Sequence, residues 1–186
     1  MNNQKYYVLG LDISTTCTGW ALLELETGDL AKYGKIITAD EENIFEQARK
    51  IQKDLYKETM GFAVVVVGVE QLNSFRNGSI TRALCGISYI VQDYIYKYWG
   101  IFPNQINTGT AKSVFTRGYK TWKGAAKKPD VLAVANARYG LNLKFIAPNK
   151  KKGGNGDDDI SDATSIAFAL REEVGEDLLS QIKEKK

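Results

Sequence analysis

Phe62-Ala63-Val64-Val65-Val66-Val67-Gly68-Val69-Glu70 holds no polar side chain before its last residue. Four consecutive valines without alternation predict a strand covered on both faces, and so a central strand in a sheet that carries helices on each side. The strand closes on a carboxylate. Tyr6-Tyr7-Val8-Leu9-Gly10-Leu11-Asp12 repeats the arrangement near the N-terminus. Outward from these two strands, residues 19–25 and 30–38 read as two more, with Glu26-Thr27-Gly28-Asp29 as the turn between them, which makes an antiparallel meander. Ile44, Phe45, Ala48, Ile51, Leu55 and Tyr56 recur at helical spacing, and Gly61 is placed to stop that helix. A second helix over 79–99 carries Ile80, Leu84, Ile87, Val91, Tyr94 and Tyr98, a seam able to pack on the sheet or on a second copy of itself. A short strand over 102–107, helical pieces near 110–117 and 129–139, and a final helix from about 159 to 174 complete the order β-β-β-α-β-α-β-α. This order predicts an α/β fold with a mixed sheet. The length suits a single domain spanning 1–186, with a lysine-rich tail over 176–186 that frays.

Composition narrows the class. Hydrophobic residues make up 44% and charged residues 25%, the balance of an ordinary soluble globular chain. No apolar run approaches the roughly 20 residues of a membrane span. The opening Met1-Asn2-Asn3-Gln4-Lys5 lacks the charged-then-apolar pattern of a signal segment, so a cytoplasmic location is expected. Cys17 and Cys85 have no zinc spacing and read as two reduced thiols. The charge is unevenly spread. Residues 111–152 hold eleven basic side chains against the single acid Asp130, a net +10 in a chain whose total is +3, so the remainder carries −7. Such asymmetry points to a polyanionic partner on one side of the molecule.

Four acids stand where charge is costly: Asp12 and Glu70 at the ends of core strands, and Asp159 and Asp162 at the start of an apolar helix. Asp159 and Asp162, three residues apart, share a helix face. The chain has no histidine, so the usual neutral-pH general base is missing. Carboxylates converging without histidine suit hard divalent cations, Mg²⁺ or Mn²⁺, and two such ions could clamp a phosphodiester. Asp159 could instead be a helix N-cap. Asp157 and Asp158 read as solvated, with Asp158 an alternative to Asp159 at the i, i+4 spacing. The Gly-Asn-Gly-Asp-Asp-Asp run lacks the alternating ligands and closing Glu of a calcium loop.

Leu9-Gly10-Leu11-Asp12 with Thr18-Gly19 after it, Val69-Glu70-Gln71, and Asp159-Ile160-Ser161-Asp162-Ala163-Thr164-Ser165-Ile166-Ala167 occur in one order along the chain. In these stretches the sequence resembles the RuvC-type Holliday junction resolvases of the RNase H-like nuclease superfamily, above all the short bacteriophage-encoded forms. The resemblance spans essentially residues 5–172. It implies an RNase H-like fold with a central mixed five-stranded sheet, and Asp12, Glu70, Asp159 and Asp162 as metal-binding catalytic acids with two Mg²⁺ per site, Mn²⁺ substituting. It further implies a homodimer whose two sites make paired incisions in four-way or other branched DNA, leaving 5′-phosphate and 3′-hydroxyl ends in the host cytoplasm. Two departures stand out. Asp12-Ile13-Ser14 replaces the usual Asp-Pro-Gly, and Asn73 occupies the position where relatives often carry an aromatic.

Candidate DNA contacts are Lys112, Arg117, Lys120, Lys123, Lys127 and Lys128, interleaved with Phe115, Tyr119 and Trp122. At least two of those three aromatics are expected in the core. An exposed Trp122 could stack on an unpaired base. Phe75 and Arg76 follow Glu70 closely enough to touch a junction. Two other functions fit parts of the chain. One is a non-catalytic branched-DNA binding module, against which the intact acidic set argues. The other rests on Gly10-Leu11-Asp12-Ile13-Ser14-Thr15-Thr16, similar to the first phosphate loop of sugar kinases and actin-like ATPases, but the second domain and second loop of those proteins are missing.

Overall fold

A computed structural model describes residues 4–72, 78–119, 121–146 and 156–184. Strands β1 (Tyr6–Asp12), β2 (Cys17–Glu24) and β3 (Leu30–Ile37) form the expected meander. After α1 (Ile44–Thr59) the valine strand β4 (Ala63–Glu70) returns parallel to β1, and after α2 (Gly78–Trp99) the short β5 (Asn104–Ile106) lies parallel to β4. The order across the mixed five-stranded sheet is β3-β2-β1-β4-β5, so β1 and β4 both lie in its interior, as their unbroken apolar runs require. Helices α3 (Thr108–Phe115), α4 (Lys128–Tyr139) and α5 (Asp158–Glu184) follow.

The sheet has two covered faces. On one, Leu9, Leu11, Trp20, Leu22, Val67 and Val69 pack under α1 and α2. Helix α1 starts because Asn43 accepts from the backbone N–H groups of Phe45 (2.9 Å) and Glu46 (3.1 Å), a cap worth about 1 kcal/mol. It buries Ala48, Ile51, Leu55 and Thr59 along one stripe. Truncating Ile51 or Leu55 to alanine in so enclosed a stripe costs about 2–5 kcal/mol. On the other face Val8, Leu23, Leu25 and Val66 meet Ile166, Ala167 and Leu170 of α5.

Two helices depart from their expected outlines. In α2 the buried residues are Ile87, Ser88, Val91 and Ile95, whereas Ile80 and Tyr98 at the ends of the anticipated seam are exposed. A straight helix drifts away from a strict seven-residue repeat, so one stripe cannot stay buried over 22 residues. Helix α5 continues to Glu184, ten residues past the expected end at Val174, because Leu178, Leu179 and Ile182 still find the second core cluster. In the basic segment, the lone acid Asp130 has a structural task. It accepts from the Lys127 N–H at 2.8 Å and closes the first turn of α4, which ends on the left-handed Gly140.

Candidate active site

Side-chain alternation along the strands places the first two acids. Val8, Gly10 and Asp12 point to the α5 side of β1, and Val66, Gly68 and Glu70 do the same on β4. Gly10 faces Gly68 across the parallel pair, so Asp12 and Glu70 end neighbouring strands on one face. Asp12 also lies opposite Gly19 of β2. The three glycines make room for α5. A Cβ on Gly10 would overlap the Ala163 carbonyl and come within 2.6 Å of the Ala167 nitrogen, and one on Gly19 would overlap the Asp159 carbonyl. A Cβ on Gly68 would press on Ile166 and Leu170 at 3.0–3.1 Å. Helix α5 therefore lies nearly on the sheet backbone, and its first two turns deliver Asp159 and Asp162 beside Asp12.

Asp159 sits inside the first turn of α5 rather than at its cap, since the helix opens at Asp158 and Ser161 N–H bonds to the Asp157 carbonyl. The structure also corrects the solvated reading of its neighbours. Asp157 takes Lys35 Nζ at 2.9 Å and the Lys144 N–H at 3.0 Å, tying α5 to β3 and to the end of the α4 connection. Asp158 takes Lys128 Nζ at 2.5 Å. Each carboxylate in the Asp157-Asp158-Asp159 run thus has its own assignment. Asp159 receives the Cys17 thiol, whose pKa is pushed up to about 12 by burial and then by that carboxylate.

Asp162 is 4% exposed. Lys112 Nζ stands 3.1 Å from each of its oxygens but donates only to Oδ2, so the buried Oδ1 has no hydrogen-bond partner. Glu70 accepts a 2.5 Å hydrogen bond from Thr108 Oγ1 at the start of α3. Burial drives the carboxyl of Asp12 well above its ordinary range, and Asp162 and Glu70 push it further. Asp159 and Asp162 are also raised, chiefly by burial, with Lys112 and Lys128 pulling Asp162 back down. These are carboxylates that ionise together only beside positive charge.

That chemistry fits a divalent cation. The donors are all oxygen, like-charged and partly buried, and one buried oxygen is unsatisfied, which suits Mg²⁺ or Mn²⁺. Among the described residues no group of three or more acidic or cysteine side chains already stands at chelating spacing. Two lysines hold cationic positions instead: Lys112 on Asp162, and Lys128 on Asp158 with Asp162 Oδ2 at 3.8 Å.

The remaining candidates divide. Arg117, Lys123 and Lys127 are exposed along the stretch joining α3 to α4, whereas the half-buried Lys112 and the still exposed Lys128 pair with the acids. Phe115 is fully buried, Trp122 packs partly against its cluster, and Tyr119 lies under the Arg138 guanidinium, so two of the three aromatics serve the core. Phe75, Arg76, Lys120 and Asn73 lie outside the described residues. Sequence reading missed Thr108, because one threonine at a helix start carries no pattern. Its hydroxyl fixes Glu70 Oε1 in a carboxylate that also meets the Asp12 side chain. Thr108→Val should lower the activity that depends on Glu70 by about 10- to 100-fold while Thr108→Ser keeps it, and matched metal titrations of the two variants check this.

No protein-family model and no curated protein sequence matches this chain. Solved structures do. The chain is similar to the Thermus thermophilus RuvC in complex with a Holliday junction substrate, at 17% identity over 88% of this chain and 91% of that one, with a TM-score of 0.65. It is also similar to the yeast mitochondrial Holliday junction resolvase Ydc2, at 11% identity over 96% and 83% of the two chains, with a TM-score of 0.58. The fold is therefore the RuvC/RNase H-like fold, as the resemblance implied, with the mixed sheet that the order of elements predicted.

Proposed function

We propose that this chain is a metal-dependent endonuclease that cuts branched DNA, four-way junctions first, leaving 5′-phosphate and 3′-hydroxyl ends. The observation that carries the reading is the convergence of Asp12, Glu70, Asp159 and Asp162 from three elements, with a buried Asp162 oxygen unsatisfied. These four would hold two Mg²⁺ ions, or Mn²⁺, which when bound supply an activated water and neutralise charge gathering on the phosphate. The chain's own residues orient and exclude. Thr108 holds Glu70, Cys17 holds Asp159, and Lys112 offers a cation beside Asp162 for a phosphate oxygen. Arg117, Lys123 and Lys127 give a sequence-blind grip on the backbone. The likeness to a RuvC bound to a junction, and the basic stretch flanking the acids, support DNA as the polyanion.

A two-site substrate suits a two-fold dimer. Tyr89, Tyr96 and Tyr98 of α2, with Phe102 beyond it, are 57–78% exposed, and they offer an apolar surface for a second copy. Cleavage of labelled four-way, three-way and linear duplexes tests the reading. Branched DNA should be incised in Mg²⁺ or Mn²⁺ and spared in chelator, while linear duplex survives. Tight junction binding with no cut in either metal would favour the binding module instead. A single-chain mass by light scattering would remove the dimer.

A further inference from the structure

A cavity of about 400 Å³ opens between α3 and the stretch leading to α4, within the size range of small-ligand sites. Lys112, Thr116, Arg117, Trp122, Gly124 and Ala125 are among its walls, and among the described residues no acidic side chain lines it. Lys112 lines this cavity and donates from its ammonium group to Asp162, so the cavity and the acid cluster adjoin along this one side chain. Trp122 packs on one side against the cluster of Phe115, Val131 and Leu132, which fixes the indole, while the rest of the ring borders the cavity. The left-handed Gly124 and the exposed Ala125 contribute short side chains to its wall. Arg117 is exposed at the rim and makes no ion pair among the described residues.

We propose that this cavity takes a single unpaired nucleotide next to the scissile phosphodiester, its base stacked on Trp122 and its phosphate met by Arg117 and Lys112. The assignment rests on the nuclease reading above and deepens it. An aromatic face accepts any base, and two cations on an acid-free wall suit the charged backbone beside it. A nucleotide held in a duplex stack must be unpaired before it can enter, a cost that is least where the strand is already open. The pocket would therefore favour a branch point over linear DNA without reading a sequence.

The test removes bases one at a time. Synthetic four-way junctions carry an abasic residue at successive positions around the incision, and single-turnover cleavage is measured for the parent chain, Trp122→Phe, Trp122→Leu and Ala125→Glu. One position should lower parent cleavage about 5- to 150-fold, the worth of one base on an aromatic ring. Trp122→Phe should keep that penalty. Trp122→Leu should lower cleavage of the intact junction by a similar factor and then ignore the missing base. Ala125→Glu, on an exposed wall outside the core, should give the same pattern, so a destabilised Trp122→Leu does not decide the matter. A penalty at no position, or one that persists unchanged in both Trp122→Leu and Ala125→Glu, overturns the pocket while leaving a metal-dependent nuclease in place. Failure of the parent to cut branched DNA in either metal overturns the nuclease reading and the pocket with it.

Discussion

Asp12→Asn should abolish strand cleavage, leave junction binding intact, and raise the melting temperature of the metal-free protein. Asparagine keeps the shape and loses the charge. The lost anionic oxygen removes several kcal/mol of charge stabilisation, a slowing of about a thousandfold or more. Phosphate contacts from Arg117, Lys123 and Lys127 are untouched, so affinity for the junction in chelator should hold. Stability moves the other way. Asp12 sits at the centre of the repulsion, pushed well above its ordinary 3.8 by burial, Asp162 and Glu70, so the substitution relieves strain carried at neutral pH. Each kcal/mol relieved raises the melting temperature by about 2–4 °C.

The pH dependence follows from the same shifts. Asp12, Asp159 and Asp162 are all raised in the fold, so each contributes stability that is complete below the unfolded value and lost as pH climbs through the folded one. In chelator the parent chain should therefore melt higher at pH 5 than at pH 7. Asp157 is lowered, chiefly because hydrogen bonds from Lys144 and Lys35 outweigh its burial, and its stability fades only below 3.8, outside that window. Asp12→Asn should flatten the slope. Full cleavage by this variant, or a parent that melts lower at pH 5, would contradict the electrostatic account.

Gly19→Ala should lose activity and stability together, the opposite signature to Asp12→Asn. The new methyl would overlap the carbonyl carbon and oxygen of Asp159, backbone atoms of a helix turn with no rotamer to escape into. Either β2 or the first turn of α5 must move. Overpacking of this kind costs about 1–3 kcal/mol. A displacement near an ångström at Asp159 and Asp162 is enough to slow chemistry about a hundredfold. Parallel melting curves and cleavage rates check both halves, and a variant that keeps both would show that α5 does not rest on Gly19.

Much of this was readable beforehand, for identifiable reasons. The four valines and the run ending at Asp12 announce interior strands, because only double coverage tolerates unbroken apolar sequence. Asp12, Glu70, Asp159 and Asp162 were legible as charges at core boundaries. The partners of Asp157 and Asp158 were not. Lys35 lies 122 residues from Asp157 and Lys128 lies 30 from Asp158, and no local pattern encodes such pairs. Thr108 escaped for the same reason. The α2 seam misled in part because a heptad count assumes supercoiling, whereas this helix rotates its buried stripe onto Ser88 and Ile95. Gly10, Gly19 and Gly68 stand in plain sight, but their shared face appears only once strand register is known.

Helix α5 is a single rod of 27 residues, about 40 Å long. Its leading two turns bear Asp159 and Asp162, its middle rests on Gly10, and its trailing turns seat Leu178, Leu179 and Ile182. Arg171 pins the shaft to the Leu25 and Glu26 carbonyls at 3.0 and 2.9 Å. Mechanically this is a lever with its fulcrum on the sheet. Loosening the far arm, by Leu178→Ala or Ile182→Ala, should therefore slow cleavage as well as lower the melting temperature, the cost at the carboxylates of unseating the opposite end of the same rod.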